Sequence, residues 1–191
     1  MAAASLVPGF EVLDTLVSIK EVLEETQRAG KKVMVAGNGG SAGIAGHLSV
    51  DLTKSAGVRC INFNEAGLIT CFSNDYGYER WVEKAVYFYG EPGDTLIVIS
   101  SSGRSKNILN GCQAARQKQC GKIITLSGFE PDNPLRQLGD INLWVGSKAY
   151  NIVETIHQLW LLAVVDLIIG KAEYSSDRET VLLSEKGGRE F

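Results

Sequence analysis

Three groups of residues have types and spacings suited to chemistry. Asn38, Gly39, Gly40 and Ser41 follow the apolar run "KKVMVAG" and lead into a helical pattern. Ser100, Ser101, Ser102 and Ser105 crowd the segment "SSSGRS" after a second apolar run, "DTLIVIS". Glycines let a backbone approach a ligand closely, and a helix start offers N–H groups and the positive end of a dipole. Serine hydroxyls either cap such a helix or donate to phosphate oxygens. Each loop alone reads equally well as a strand-to-helix turn with a serine cap. Four serines in the six residues 100–105 exceed what one cap needs, and the two loops together read as a cradle for a phosphate or phosphosugar. "GNGGSAG" lacks the GK[ST] ending of a nucleotide-binding loop, and neither segment is a dinucleotide fingerprint.

The third group is His47 and Asp51. Four residues of helix turn through roughly 400 degrees, so both side chains lie on one face, one turn apart. Such a pair can share a metal ion, or the carboxylate can orient the ring. It can equally be a surface salt bridge, the reading that spacing alone prefers.

The elements that must position these groups alternate between helical and strand periods. Residues 10–29 have apolar side chains at helical spacing and stop at Gly30. Strand patterns follow at "KKVMVAG", "RCINFN", "DTLIVIS", "GKIITLSG" and "INLWVG". Helical patterns fall at 41–55, 66–73, 77–88, from Arg104 to Gln119, and at 149–169, and "PDNPLRQLG" reads as a loop with a short helix. Apolar strands alternating with helices imply a mainly parallel sheet covered on both faces. In such a sheet, ligands bind at the carboxyl ends of the strands, beside a topological switch, which is where both unusual loops fall.

Composition narrows the functional classes. The 191 residues, 45% of them apolar, suffice for one α/β domain over 1–191, with a loosely held polar tail from about 172 to 191. A formal net charge of -3 with scattered Lys and Arg disfavours nucleic acid as a partner. The four cysteines show no CxxC spacing and read as buried reduced thiols. "MAAASLVPGF" lacks a basic segment and a long apolar run, against a signal peptide. The longest apolar run, "LWLLAVVDLIIG", is interrupted by Asp166 and falls short of the ~20 residues of a membrane span. A cytoplasmic protein with no membrane partner is expected.

"GNGGSAGIAGHLSVDL", "SNDYGY", "ISSSGRSKNIL" and the late "IVETIH" together resemble the sugar isomerase (SIS) family, and within it the phosphoheptose isomerases. The resemblance spans about residues 10–170. It implies a flavodoxin-like, three-layer αβα sandwich with a five-stranded parallel sheet, assembled as a homotetramer with active sites between subunits. It further implies conversion of sedoheptulose 7-phosphate to D-glycero-D-manno-heptose 7-phosphate. By the same resemblance Ser100, Ser102 and Ser105 hold the phosphate, with Ser101 beside them among the substrate-binding residues, and Asn38, Gly39, Gly40, Ser41, Asn74 and Asp75 contact the sugar.

The match departs from the family at the chemistry. His47 falls on the family's metal-binding histidine, but Asp51 stands where catalytic members carry glutamate. The late helix puts Glu154 at a glutamine position and Leu162 at that of a histidine, and leucine neither ligates nor shuttles a proton. His157 lies on another side of the helix from residue 162, roughly 140 degrees away, and is read as structural. An isomerase working through an enediol would use Asp51 and Glu154 as its carboxylates. A zinc ion, if held, would take His47, Asp51 and Glu154. The alternative is a non-catalytic phosphosugar-binding protein, or one associating with a replication initiator. The apolar helix 149–169 itself argues for a homo-oligomer, since one sheet face cannot cover it.

Overall fold

Strands that are apolar on both sides need a helical layer above and below, and the chain supplies both. The computed structural model describes residues 10–172. In order these are α1 (Phe10–Arg28), β1 (Val33–Gly37), α2 (Gly40–Lys54), β2 (Cys60–Asn62), α3 (Ala66–Tyr76), α4 (Trp81–Tyr89) and β3 (Thr95–Ser100). They continue with α5 (Lys106–Gln117), β4 (Lys122–Gly128), β5 (Ile141–Val145) and α6 (Tyr150–Ile169). All strand pairs are parallel, in the order β2-β1-β3-β4-β5. This is the αβα sandwich expected from the sequence.

The two-residue period of the strands divides the core. Val33, Val35, Ile97, Ile99, Ile124 and Leu126 enter the layer formed by α1, α2 and α6. Met34, Ala36, Leu96, Val98 and Ile123 enter the opposite layer, with α3, α4 and α5. The helices after β1 and β3 therefore cover opposite faces, which places the topological switch between these two neighbouring strands.

Helix boundaries depart from the sequence expectation in one region. α3 continues to Tyr76, and Gly77, at φ 88°, ends it. A three-residue 3-10 turn, Tyr78–Arg80, then precedes α4. Gly77 adopts a left-handed backbone that a residue with a Cβ avoids, so the break falls there.

α6 is the one helix among the described residues long and apolar enough, by length and composition, to cross a membrane. Its composition has an explanation within the fold. Val153, Trp160, Leu161, Val164 and Val165 are buried in the core beneath it, while Ile152 and Leu159 face outward, Leu159 at 64% exposure. All four cysteines are unbridged; Cys60, Cys112 and Cys120 are buried, but Cys71 is exposed on α3, against the expectation of a buried thiol. Burial pushes the Cys60 and Cys112 thiols up to about 12 and the Cys120 thiol to about 11, which keeps them protonated and unreactive. The expected loose tail from about 172 lies, but for Ala172, outside the described residues.

Candidate active site

The loops after β1 and β3 meet at the switch point and enclose a cavity of about 270 Å³. Asn38, Gly39, Gly40 and Ser41 line one side, and Ser100, Ser101, Ser102 and Ser105 the other. Glu154 and Tyr150, from the start of α6, complete the lining with Ile99. Nine of the residues selected from the sequence thus come together in one place.

The serines here do not serve as ordinary caps. Ser105 occupies the N-cap of α5, yet its side chain makes no capping bond; Ser100 Oγ instead donates to Ser105 Oγ over 3.1 Å. Ser101 Oγ is buried with no hydrogen-bond partner. An unsatisfied buried hydroxyl costs about 1–3 kcal/mol, and a ligand oxygen in the cavity would remove that cost. The N-cap of α2 is Gly39, at φ 55°, which has no side chain to cap that helix start. Two helix N-termini therefore face one cavity, an arrangement that binds anions through N–H groups and dipoles without a cationic side chain.

The loops are held from behind. Gly103, at φ 64°, turns the serine loop where a Cβ would collide with the Asn133 side chain. Asn133 is fully buried, and its Nδ2 donates to Ser127 Oγ and to the carbonyls of Gly128 and Glu130. Asn38 and Asn107 exchange amide hydrogen bonds at 3.0 and 2.8 Å, and the Tyr78 hydroxyl donates to Asn38 Oδ1. The Asn38 loop is thereby tied to α5 across the sheet. Sequence reading missed Asn107, Tyr78 and Asn133, because a long-range amide pair leaves no local pattern. Tyr150 was equally missed, although it precedes Glu154 by one helical turn.

Glu154 lies directly over Gly40. A methyl group at Gly40 would overlap the Glu154 carboxylate, so only glycine admits it at the first residue of α2. The positive end of the α2 dipole favours a carboxylate there.

His47 and Asp51 lie farther along α2, outside the cavity lining. His47 Nε2 is 3.1 Å from Asp51 Oδ2, with Asp51 buried and His47 exposed. His47 Nδ1 is 3.2 Å from the Gln158 Nε2 amide of α6. Gln158 is a further residue that sequence reading missed, one turn after Glu154 on the same helical stripe. His157, on a different side of α6, is fully buried, and its Nε2 donates to the Ser127 carbonyl over 3.0 Å. Burial pushes the His157 ring down to about 4, which keeps it neutral and agrees with a structural role.

Two expected groups are not assembled at this cavity within one chain. Asn74 and Asp75 do not reach the cavity: they are exposed in the last turn of α3, where Asn74 Nδ2 donates to Asp75 Oδ1. The proposed zinc ligands do not converge either. Among the described residues no three His, Cys, Asp or Glu side chains stand close enough to hold a metal ion. The reason is geometric. Glu154 sits over Gly40, and Gly40 and His47 are seven residues, about 10 Å, apart along α2. Among the described residues of one chain, His47, Asp51 and Glu154 therefore do not form a three-ligand set for a metal ion.

A doubly wound parallel sheet with an anion-binding crevice at its switch point defines a class of small-metabolite α/β proteins. The SIS domain profile matches residues 13–128, and the chain belongs to the SIS domain family. It is 33% identical over 179 residues to a phosphoheptose isomerase of Hamiltonella defensa subsp. Acyrthosiphon pisum (strain 5AT), covering 91% of this chain and 86% of the relative. The structure of phosphoheptose isomerase GmhA from Neisseria gonorrhoeae superposes with a TM-score of 0.77 at 26% identity, over 82% of this chain and 87% of that one. A phosphoheptose isomerase from Francisella tularensis gives 0.77 at 29% identity, over 83% and 86%.

Proposed function

We propose that the chain is a phosphosugar aldose–ketose isomerase, with sedoheptulose 7-phosphate as its ketose and D-glycero-D-manno-heptose 7-phosphate as its aldose. The observation that carries this reading is the Glu154 carboxylate in the same cavity as the serine loop. The serines and the α5 N-terminus take the phosphate, which leaves the reacting end of the sugar toward α2 and Glu154. Glu154 removes the proton from C1 of the ketose, giving an enediol, and returns it to C2. The hydroxyl proton leaves O1 as O2 gains one, so the exchange is balanced within the substrate. Asp51, off the cavity and with its carboxylate 3.1 Å from the His47 ring, orients that ring and is not the base. The relatives named phosphoheptose isomerase support the choice of sugar.

Incubation with a panel of ketose phosphates in heavy water, followed by NMR of C1, tests the reading. Exchange is expected with at least the heptulose phosphate, and Glu154→Gln should slow it about 10²- to 10⁴-fold while phosphosugar binding persists. Binding without exchange across the panel would instead favour a non-catalytic phosphosugar-binding protein. A homotetramer belongs to the same proposal: Leu13, Val17, Val50, Ile152 and Leu159 are large apolar residues exposed on α1, α2 and α6. Sedimentation as a monomer at micromolar concentration would refute it.

A further inference from the structure

Glu154, Gln158 and Leu162 follow one another at four-residue steps and form one stripe of α6. Two of the three have defined partners on α2: Glu154 meets Gly40 and Gln158 meets His47. The amide nitrogen of Gln158 carries only hydrogens to offer. At 3.2 Å from His47 Nδ1 it donates, and Nδ1 accepts with its lone pair. A ring that accepts at Nδ1 is neutral and carries its hydrogen on Nε2, which faces Asp51 Oδ2 at 3.1 Å. The Gln158 amide then occupies Nδ1 while the Nε2 side of the ring faces the Asp51 carboxylate, so both ring nitrogens are engaged.

A metal ion needs a ring lone pair and at least two further donors. In this chain the lone pair is taken by an amide, Leu162 offers no donor on the next turn of α6, and Glu154 is held one turn earlier over Gly40. We infer that Gln158 stands in for a metal ion as the partner of His47, locking the ring in its Nε2–H tautomer against Asp51, so that this isomerase site works without a divalent cation. The inference rests on the isomerase reading only for its last clause. Gln158 is a positioning residue, acting on the ring and not on the sugar.

The test uses the full-length, sugar-free protein with zinc chloride alone as the probe. With imidazole nitrogens labelled, two-bond proton–nitrogen spectra should show the His47 ring protonated at Nε2 and accepting at Nδ1. His47→Ala assigns the signals, since the chain contains two histidines. Gln158→Leu should remove the hydrogen-bond shift at Nδ1. Gln158→Glu, which replaces the amide donor by an acceptor, should move the ring hydrogen to Nδ1. Equilibrium dialysis should leave wild type with no more bound zinc than His47→Ala. One zinc per chain in wild type, lost in His47→Ala, would overturn the inference, as would His47 ring signals unchanged in both Gln158 variants. None of these readouts involves substrate, so a failure of the isomerase reading in the heavy-water experiment is separable from a failure here.

Discussion

Gly40→Ala probes whether the position of Glu154 is imposed by the start of α2. The backbone at Gly40 lies outside the left-handed region, and alanine is the better helix former by about 1 kcal/mol in a helix interior. On propensity alone the variant would be neutral or slightly more stable. The added methyl, however, falls on the Glu154 carboxylate, the end of a flexible side chain, which relieves the overlap by leaving its rotamer at a cost of about 1 kcal/mol. The expected outcome is little net change in urea unfolding, with the carboxylate displaced by an ångström or more. Misplacement on that scale costs on the order of 10²-fold in rate, so C1 exchange should fall by about that factor while phosphosugar affinity changes little. In a Glu154→Ala background the collision is absent, and the same substitution should become neutral or stabilising. The two backgrounds should therefore differ by about 1 kcal/mol, within the range seen for residues in contact. Equal stability changes in both backgrounds, or full exchange activity in Gly40→Ala alone, would refute the placement of Glu154.

Two further outcomes follow from other parts of the structure. The His157 ring is held at about 4 against an ordinary value of 6.5, so the unfolded chain binds the extra proton first as pH falls. Its contribution, about 3 kcal/mol, is present above pH 6.5 and lost toward pH 4; His157→Gln, which keeps a donor for the Ser127 carbonyl, should flatten that limb in pH-dependent denaturation. Ser102→Ala and Ser105→Ala should each weaken phosphosugar binding by about 1–3 kcal/mol in calorimetry, and unchanged affinity in both would exclude the serine loop as the phosphate cradle.

The parts of the molecule legible in the sequence are those with local signals. The strands "VMVAG" and "TLIVIS" announce themselves by continuous apolar runs, and the loops that follow by glycines and serines that no strand or helix interior would favour. Sheet order adds only the knowledge that β1 and β3 are neighbours, and this brings Asn38 to Ser105. What was not legible depends on helix against helix. Nothing near Gln158 points to His47, 111 residues away, and nothing near Gly40 shows that its missing side chain accommodates Glu154. The separation of Glu154 from His47 was hidden for the same reason: residues aligned one at a time by resemblance carry no distance between α2 and α6. Asn74 and Asp75 were likewise placed by motif, while α3 runs on to Tyr76 and leaves them facing outward.

The cavity draws its two kinds of side chain from separate sources. Everything suited to gripping an anion comes from turns fastened to β4 through Asn133 and to α5 through the Asn38–Asn107 pair. The carboxylate in the cavity lining, Glu154, comes from α6. A lineage built this way can exchange its reaction by altering residues 154, 158 and 162, three positions on one helical stripe, without disturbing the grip on phosphate. Descendants of one ancestor are then expected to share their anchoring loops closely while diverging along that stripe, and the identities at these three positions become a short code by which catalysts and mere binders on this scaffold are told apart.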